Sequence, residues 1–244
     1  MKVALVTGAS SGIGAAIALE FASAGWGIMA AGRDEERLAE VADESENIAT
    51  WAGELGSSDD CDELIVDTIE EFGTLDCLVN SAGIYIPADI SETSDDDWRT
   101  TMSINVDVPF YLSRSALPHL LRTSGSIVNI ASDWGLQGGE RALAYCASKG
   151  AIVLLTKAMA LDHSGEGLRV NAVCPGDVDT PMLTANAEDR GIDVATVLAE
   201  AAERSPNGRI ATPEDVAALV VFLASDAAQH ITGAAIPIDG GATA

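Results

Sequence analysis

Basic residues are scarce in this chain of 244. Lysine and arginine together number 13 against 38 acidic residues, a formal net charge of −25, and Lys2, Lys149 and Lys157 are the only lysines. Such a surface repels phosphate backbones and anionic lipid headgroups, so neither nucleic acid nor a membrane is expected as a partner. Aspartate is commoner than glutamate, a bias seen where acidic surfaces hold hydrated cations in a salt-rich cytoplasm. The halophile expectation is a stability that depends on salt; the plainer alternative is charge that only maintains solubility. Cysteine is sparse too. Cys61, Cys77, Cys146 and Cys174 form no CxxC pair, and four cysteines in a chain this long do not suggest a disulfide framework; a reducing cytoplasm fits best. His119, His163 and His230 are scattered, so no metal site is expected. No run reaches 18 consecutive apolar residues. The opening MKVALVTGAS meets a glycine turn too early for a secretory leader, and a cytoplasmic protein is expected.

What is abundant is apolar residue, 48% of the chain, enough for a sizeable core. Val3 to Thr7 reads as a strand, and Gly12 to Ala24 carries Ile13, Ile17, Ala18, Phe21 and Ala24 at helical spacing. The alternation continues with a strand at 26–31, a helix at 34–47 and a strand at 48–52. Leu75 to Asn80 and Ser126 to Ser132 are continuous apolar runs, as in central strands covered on both faces. These periods predict an α/β fold with a Rossmann-type, doubly wound parallel sheet in a single domain. Leu143 to Asp162 is apolar nearly all round; one sheet cannot cover all of it, so a second copy of the chain is expected to. The polar, alanine-rich stretch around 180–207 reads as a mobile substrate flap. Pro213-Glu214-Asp215 is a sound helix start, and a last strand is expected near 234–238. The acidic runs at 58–60 and 94–97 suit helix starts, where carboxylates meet unpaired amides.

Between the first strand and the first helix stands Thr7-Gly8-Ala9-Ser10-Ser11-Gly12-Ile13-Gly14. Glycines there allow a tight turn and let a dinucleotide's pyrophosphate approach the positive end of the helix. Tyr145 and Lys149, four apart in a predicted helix, share one face. An ammonium group close to a phenol favours the phenolate, so Tyr145 is expected as acid or base, its proton made more transferable by Lys149. Ser132 stands at the carboxyl end of a predicted central strand, where open α/β sheets place ligands, and could hold a substrate oxygen.

Together these residues resemble the short-chain dehydrogenase/reductase family. The resemblance spans the chain through TGASSGIG at 7–14, NSAG at 80–83, Asn105 in SINVDVPF, Ser132 in IASDWG, YCASK at 145–149, PGDVDT at 175–180 and IDGG at 238–241. It implies hydride transfer between a nicotinamide and a substrate carbon, with Tyr145 as catalytic acid/base, Ser132 orienting the substrate oxygen, Lys149 bonding the nicotinamide ribose and tuning Tyr145, and Asn105 supporting a water-linked proton relay. Gly8, Ser10, Ser11, Gly12, Ile13 and Gly14 would contact the cofactor, as would Asn80, Ala82 and Gly83, and Pro175, Gly176, Val178 and Thr180. Glu54 and Leu55, after the third strand, would lie by the adenine. Ser81 departs from the family's usual NNAG.

NAD-preferring relatives usually place an aspartate where Gly32 stands; here Arg33 offers a fork of donors suited to a 2′-phosphate, so NADP(H) is expected over NAD(H). Ser11 stands where some NADP enzymes carry a second basic residue, and Asp34 dilutes the signal. Trp134, Gln137, Met182 and Leu183 are the expected cleft lining, and Cys146 is read as packing. The expected function is an NADP(H)-dependent oxidoreductase interconverting a ketone or aldehyde with an alcohol. The alternatives are a 3-oxoacyl-thioester (acyl-carrier-protein) reductase and, from another class, a non-catalytic nicotinamide-nucleotide-binding regulator. The resemblance also implies a homotetramer acting on a small molecule.

Overall fold

The computed structural model describes residues 1–244, save the side chains at 186 and 188–190. In chain order run β1 (Val3–Thr7), α1 (Gly12–Ser23), β2 (Gly27–Gly32), α2 (Glu35–Asp43), β3 (Ile48–Ala52), α3 (Ser58–Phe72), β4 (Cys77–Asn80), α4 (Asp95–Met102), α5 (Val108–Thr123), β5 (Ser126–Ile130), α6 (Leu143–His163), β6 (Arg169–Pro175), α7 (Pro181–Arg190), α8 (Val194–Arg204), α9 (Pro213–Ala224) and β7 (Ala235–Ile238). The strands form one parallel sheet in the order β3-β2-β1-β4-β5-β6-β7. The order reverses between β1 and β4, and at such a switch point a crevice opens at the carboxyl ends of the strands. Thr7 and Asn80, the last residues of those two strands, stand at its base.

Alternation of side chains sorts each buried strand between two layers. Ala4, Val6, Ile28 and Ala30 join Phe21 of α1 and Val220 of α9 on one face. Leu5, Met29 and Leu78 join Leu64 of α3 and Leu112 of α5 on the other. All five residues of β1 are buried, which explains its unbroken apolar run. Helix starts follow the acidic runs: Ser57 and Asp60 form a capping box on α3, Ser94 accepts from Asp97 N–H on α4, and Thr212 and Asp215 cap α9.

Three features go beyond the sequence reading. β6 is a full strand, although Arg169 and Asn171 interrupt its apolar pattern. Asn171 bonds the Ile231 carbonyl (2.8 Å) and the Ala234 N–H (3.1 Å), and Arg169 donates to the Leu223, Ala224, Ser225 and Ala228 carbonyls at the end of α9. Distant backbone satisfies these polar groups, a fact no local pattern carries. The stretch expected as a flap is a pair of helices, α7 and α8. Its base is held by the bridge Val178↔Ala211 and by Arg204 on Asp177 at 2.8 Å. Third, the helical stretch Leu143–Glu166 is long and apolar enough to cross a bilayer by length and composition. Here it is a flank of the sheet: Ile152, Val153 and Ala160 pack inward, while Leu154 and Leu161 stay 67% and 83% exposed. The two-sided apolar character read from the sequence is therefore real, and the outer half is uncovered in the single chain.

Candidate active site

The glycine turn closes the crevice from one side. Gly8 and Gly12 take left-handed φ of 67° and 54°, and Gly14 lies so close to the turn that a Cβ there would stand 2.2 Å from the Gly8 carbonyl oxygen. Gly8 packs on the backbone of Ala82, where a Cβ would come within 3.0 Å. Thr7 Oγ1 accepts from the N–H groups of Ser81 and Ala82, 3.1 Å each, and so ties the NSAG segment to the turn. Ser11, the N-cap of α1, makes no side-chain cap bond, and the first turn carries no acidic residue. The amides at this helix start are thus open to an anion, and the turn fits a pyrophosphate. Ser10 sits under Gly32, 3.2 Å from where its Cβ would be.

At the far side of β2, Arg33 is exposed. Asp34 is spent as the N-cap of α2, accepting from Arg37 N–H at 3.1 Å and pairing with its guanidinium at 3.3 Å. Arg33 itself has no hydrogen bond or ion pair among the described residues. Beyond β3, Leu55 is half-buried against the core and Glu54 is exposed.

A cleft of about 820 Å³ gathers Ile13, Gly83, Ser132, Tyr145, Lys149, Pro175, Gly176, Val178 and Thr180. The expected lining residues Trp134, Gln137, Met182 and Leu183 face it as well. Ser132 caps the short turn Asp133–Gly135 after β5, accepting from Trp134 N–H at 3.1 Å. Lys149 is buried, its Nζ donating to the Ile130 carbonyl at 2.8 Å and lying 5.5 Å from the centre of the Tyr145 ring. Asn105 lies in a π-helical turn, Ser103–Asp107, that joins α4 to α5. Its amide clasps both backbone groups of Ile84 (2.9 Å each) and donates to Ser148 Oγ at 3.1 Å. Gly83 separates Asn105 from Lys149: a Cβ there would be 3.3 Å from Asn105 Oδ1 and 3.5 Å from Lys149 Nζ.

For Asn80 only the backbone is left to meet a cofactor, and the expectation for the Tyr145 pKa needs correction. Asn80 turns its side chain into the interior, donating to Asn129 Oδ1 at 2.8 Å and to Ser113 Oγ at 3.4 Å, so that side chain does not reach the cleft. Tyr145 does not have a lowered pKa in the chain alone. Burial pushes the phenol up to about 12, outweighing the Ser132 side-chain hydrogen bond that lowers it. Burial also pushes the Lys149 ammonium down to about 8. For both groups desolvation is the largest effect.

The sequence reading passed over Tyr85 and Asp133 and read Thr7 only as the start of the glycine turn. Tyr85 meets Tyr145 at 5.3 Å and Trp134 at 5.9 Å between ring centres, both edge-on, and forms an aromatic wall with them. It stands two residues past Gly83 and Asp133 one past Ser132, so proximity to a motif was the available signal. Cys146 accepts from Gly139 N–H at 3.2 Å, as packing would have it. Among the described residues no group of histidine, cysteine and acidic side chains could hold a metal ion.

Comparison with known proteins agrees with this geometry. A family described as enoyl-(acyl carrier protein) reductase matches residues 8–243. The meso-2,3-butanediol dehydrogenase of Serratia marcescens is 42% identical over 245 residues, covering all of this chain and 95% of that protein. An actinorhodin polyketide ketoreductase solved with NADPH superposes with a TM-score of 0.94 at 33% identity, over 99% of this chain and 97% of the other. The 3-ketoacyl-(acyl-carrier-protein) reductase of Brucella melitensis, solved with NADH, gives 0.92 at 30% identity, over 100% and 98%.

Proposed function

Because the chain belongs to the short-chain dehydrogenase/reductase family and is a nicotinamide-dependent oxidoreductase acting on CH–OH groups of small molecules, we propose that Ser132, Tyr145 and Lys149 perform the proton chemistry, with NADP(H) as the preferred nucleotide. The observation that carries this reading is the convergence of those three side chains on one cleft beside the glycine turn. Bound nicotinamide supplies or removes the hydride. In the oxidative direction the carbinol C–H bond breaks with its electron pair, the O–H proton passes to Tyr145 Oη, and a carbonyl is left. In reduction Tyr145 Oη returns that proton to the alkoxide oxygen. Ser132 Oγ holds the substrate oxygen at this point, its proton turned from Asp133 Oδ1 to the substrate. Lys149 places a positive charge beside the phenolate, and Asn105, bound to Ile84 and Ser148 and one residue's width from Lys149, supports the water-linked relay that resupplies the proton. Helices α7 and α8 serve as the lid over the substrate.

NADP(H) preference rests on Arg33. It is exposed and without a partner among the described residues, while the neighbouring carboxylate is committed to Arg37. Guanidinium bonds to a phosphate are charge-assisted, and losing them costs about 1.5–3 kcal/mol. Arg33→Ala should therefore raise KM for NADPH by roughly 10- to 150-fold while leaving NADH little changed. Parallel assays with the two nucleotides check this, and an equal loss for both overturns the preference.

A 3-oxoacyl-thioester reductase would need a basic mouth for an acidic carrier protein. Arg204 and Arg209 at the rim are already taken by Asp177 (2.8 Å) and Asp215 (2.6 Å), which favours free small substrates. The uncovered face of α6, with Leu154 and Leu161, supports assembly into a homotetramer. Sedimentation should give a multiple of the 25.1 kDa chain, and Leu154→Glu should shift it toward the single-chain mass.

A further inference from the structure

The cleft holds a buried carboxylate that the proton chemistry leaves unused. Asp133 follows Ser132, lines the cleft and is only 9% exposed. Its Oδ1 accepts from Ser132 Oγ at 3.0 Å and from Trp134 N–H at 2.8 Å. Its Oδ2 has no hydrogen-bond partner among the described residues, and the residue lines the cleft. A nearly buried carboxylate oxygen is costly to keep without a donor.

The surrounding charges restrict which donor can come. Burial disfavours the charged form of Asp133, and the nearby carboxylates of Asp177 and Asp239 add to it, so a carboxylate or phosphate on the substrate meets repulsion there. A substrate ammonium is attracted by the same carboxylates, so an amino alcohol is one arm of the test below; a neutral hydroxyl meets no repulsion and supplies the missing proton. The wall of Tyr85, Trp134 and Tyr145 suits the C–H faces of such a molecule. Ser132 and Asp133 are hydrogen-bonded to each other, so an oxygen held at Ser132 has the oxygen of the adjacent carbon beside Asp133.

We propose that Asp133 is a specificity-determining residue whose free Oδ2 accepts the hydroxyl next to the reacting carbon, making the substrate class a neutral vicinal diol or its α-hydroxy carbonyl product, sugars included. The inference rests on the oxidoreductase reading above. It is tested with 2,3-butanediol and a free aldohexose against 2-butanol and cyclohexanol, each with both nicotinamide nucleotides. The wild type should favour the vicinal hydroxylated probes in kcat/KM by about tenfold or more, mostly through KM. Asp133→Asn keeps the shape but turns an amide donor toward the cleft, and the preference should fall to near parity. Titration of tryptophan emission with 2,3-butanediol should show the same weakening at equilibrium, without turnover. Parity in the wild type overturns the inference, and that comparison decides even where the variant fails to fold. An equal loss on diols and monoalcohols in Asp133→Asn overturns it as well, as does a preference for 1-amino-2-propanol over the diols. Absence of any turnover with either nucleotide overturns the oxidoreductase reading and this inference with it.

Discussion

Tyr145→Phe should lower kcat by about 10²- to 10⁴-fold, the range of positioned acid–base catalysis, with nucleotide affinity and melting temperature near those of the parent. The phenyl ring keeps the edge-on contacts to Tyr85 and Trp134 and loses only the hydroxyl. The pH profile adds a sign. With the phenol pushed up to about 12 and the Lys149 ammonium down to about 8, Tyr145 holds its proton at neutral pH and is ready as an acid. The phenolate left by proton donation needs the Lys149 charge, which is present below about pH 8 and fades above it. Carbonyl reduction should therefore decline as pH rises past about 8, while alcohol oxidation, which begins from the phenolate, should rise with pH up to about 8, where the Lys149 charge that supports the phenolate begins to fade. Steady-state assays in both directions check this. Full turnover by Tyr145→Phe, or a reduction rate indifferent to pH across that range, would overturn the assignment.

Some of this arrangement was legible in the sequence for reasons that can be named. The turn at 7–14, the pair Tyr145 and Lys149, and the strands Val3–Thr7 and Ile48–Ala52 rest on spacing within one element, and spacing is local. Less visible was whatever depends on a distant partner. β6 hid because Arg169 and Asn171 look like surface residues until the end of α9 and the Ile231–Ala234 backbone receive their hydrogen bonds. Asn80 sits in a motif beside the crevice, yet Asn129 of the neighbouring strand, register partner to Asn80, draws its amide inward. Tyr145 shows the same limit in electrostatics. The sequence displays the cation four residues away; the desolvation that raises the phenol pKa exists only once the cleft is built. Asp133 went unread because an aspartate after a strand-end serine is an ordinary turn residue, and only its burial and its unpaired oxygen distinguish it.

Gly14→Ala tests the glycine turn by its closest approach. A Cβ at Gly14 meets only backbone: the Gly8 carbonyl oxygen at 2.2 Å, the Gly8 carbonyl carbon at 2.6 Å and Ala9 N at 3.0 Å. No rotamer can relieve this, so the turn itself must open. Gly8 is wedged on Ala82, and a methyl at Gly12 would already press Thr180 Cγ2 at 3.2 Å, so an opened turn disturbs both walls that face the nucleotide. Overpacking of this kind costs about 1–3 kcal/mol, or roughly 2–12 °C in melting temperature for a chain of this length. Nucleotide affinity should fall by about tenfold or more, since the amides at the start of α1 no longer converge on one anion. Gly25→Ala is the control. Gly25 has φ of 80° but nothing within 4 Å of its Cβ position, so it carries the left-handed strain of about 1–2 kcal/mol without the collision. Both variants should lose stability, and Gly14→Ala alone should lose nucleotide binding. If Gly25→Ala weakened binding equally, general destabilisation, and not the close approach of Gly14 to Gly8, would account for the effect.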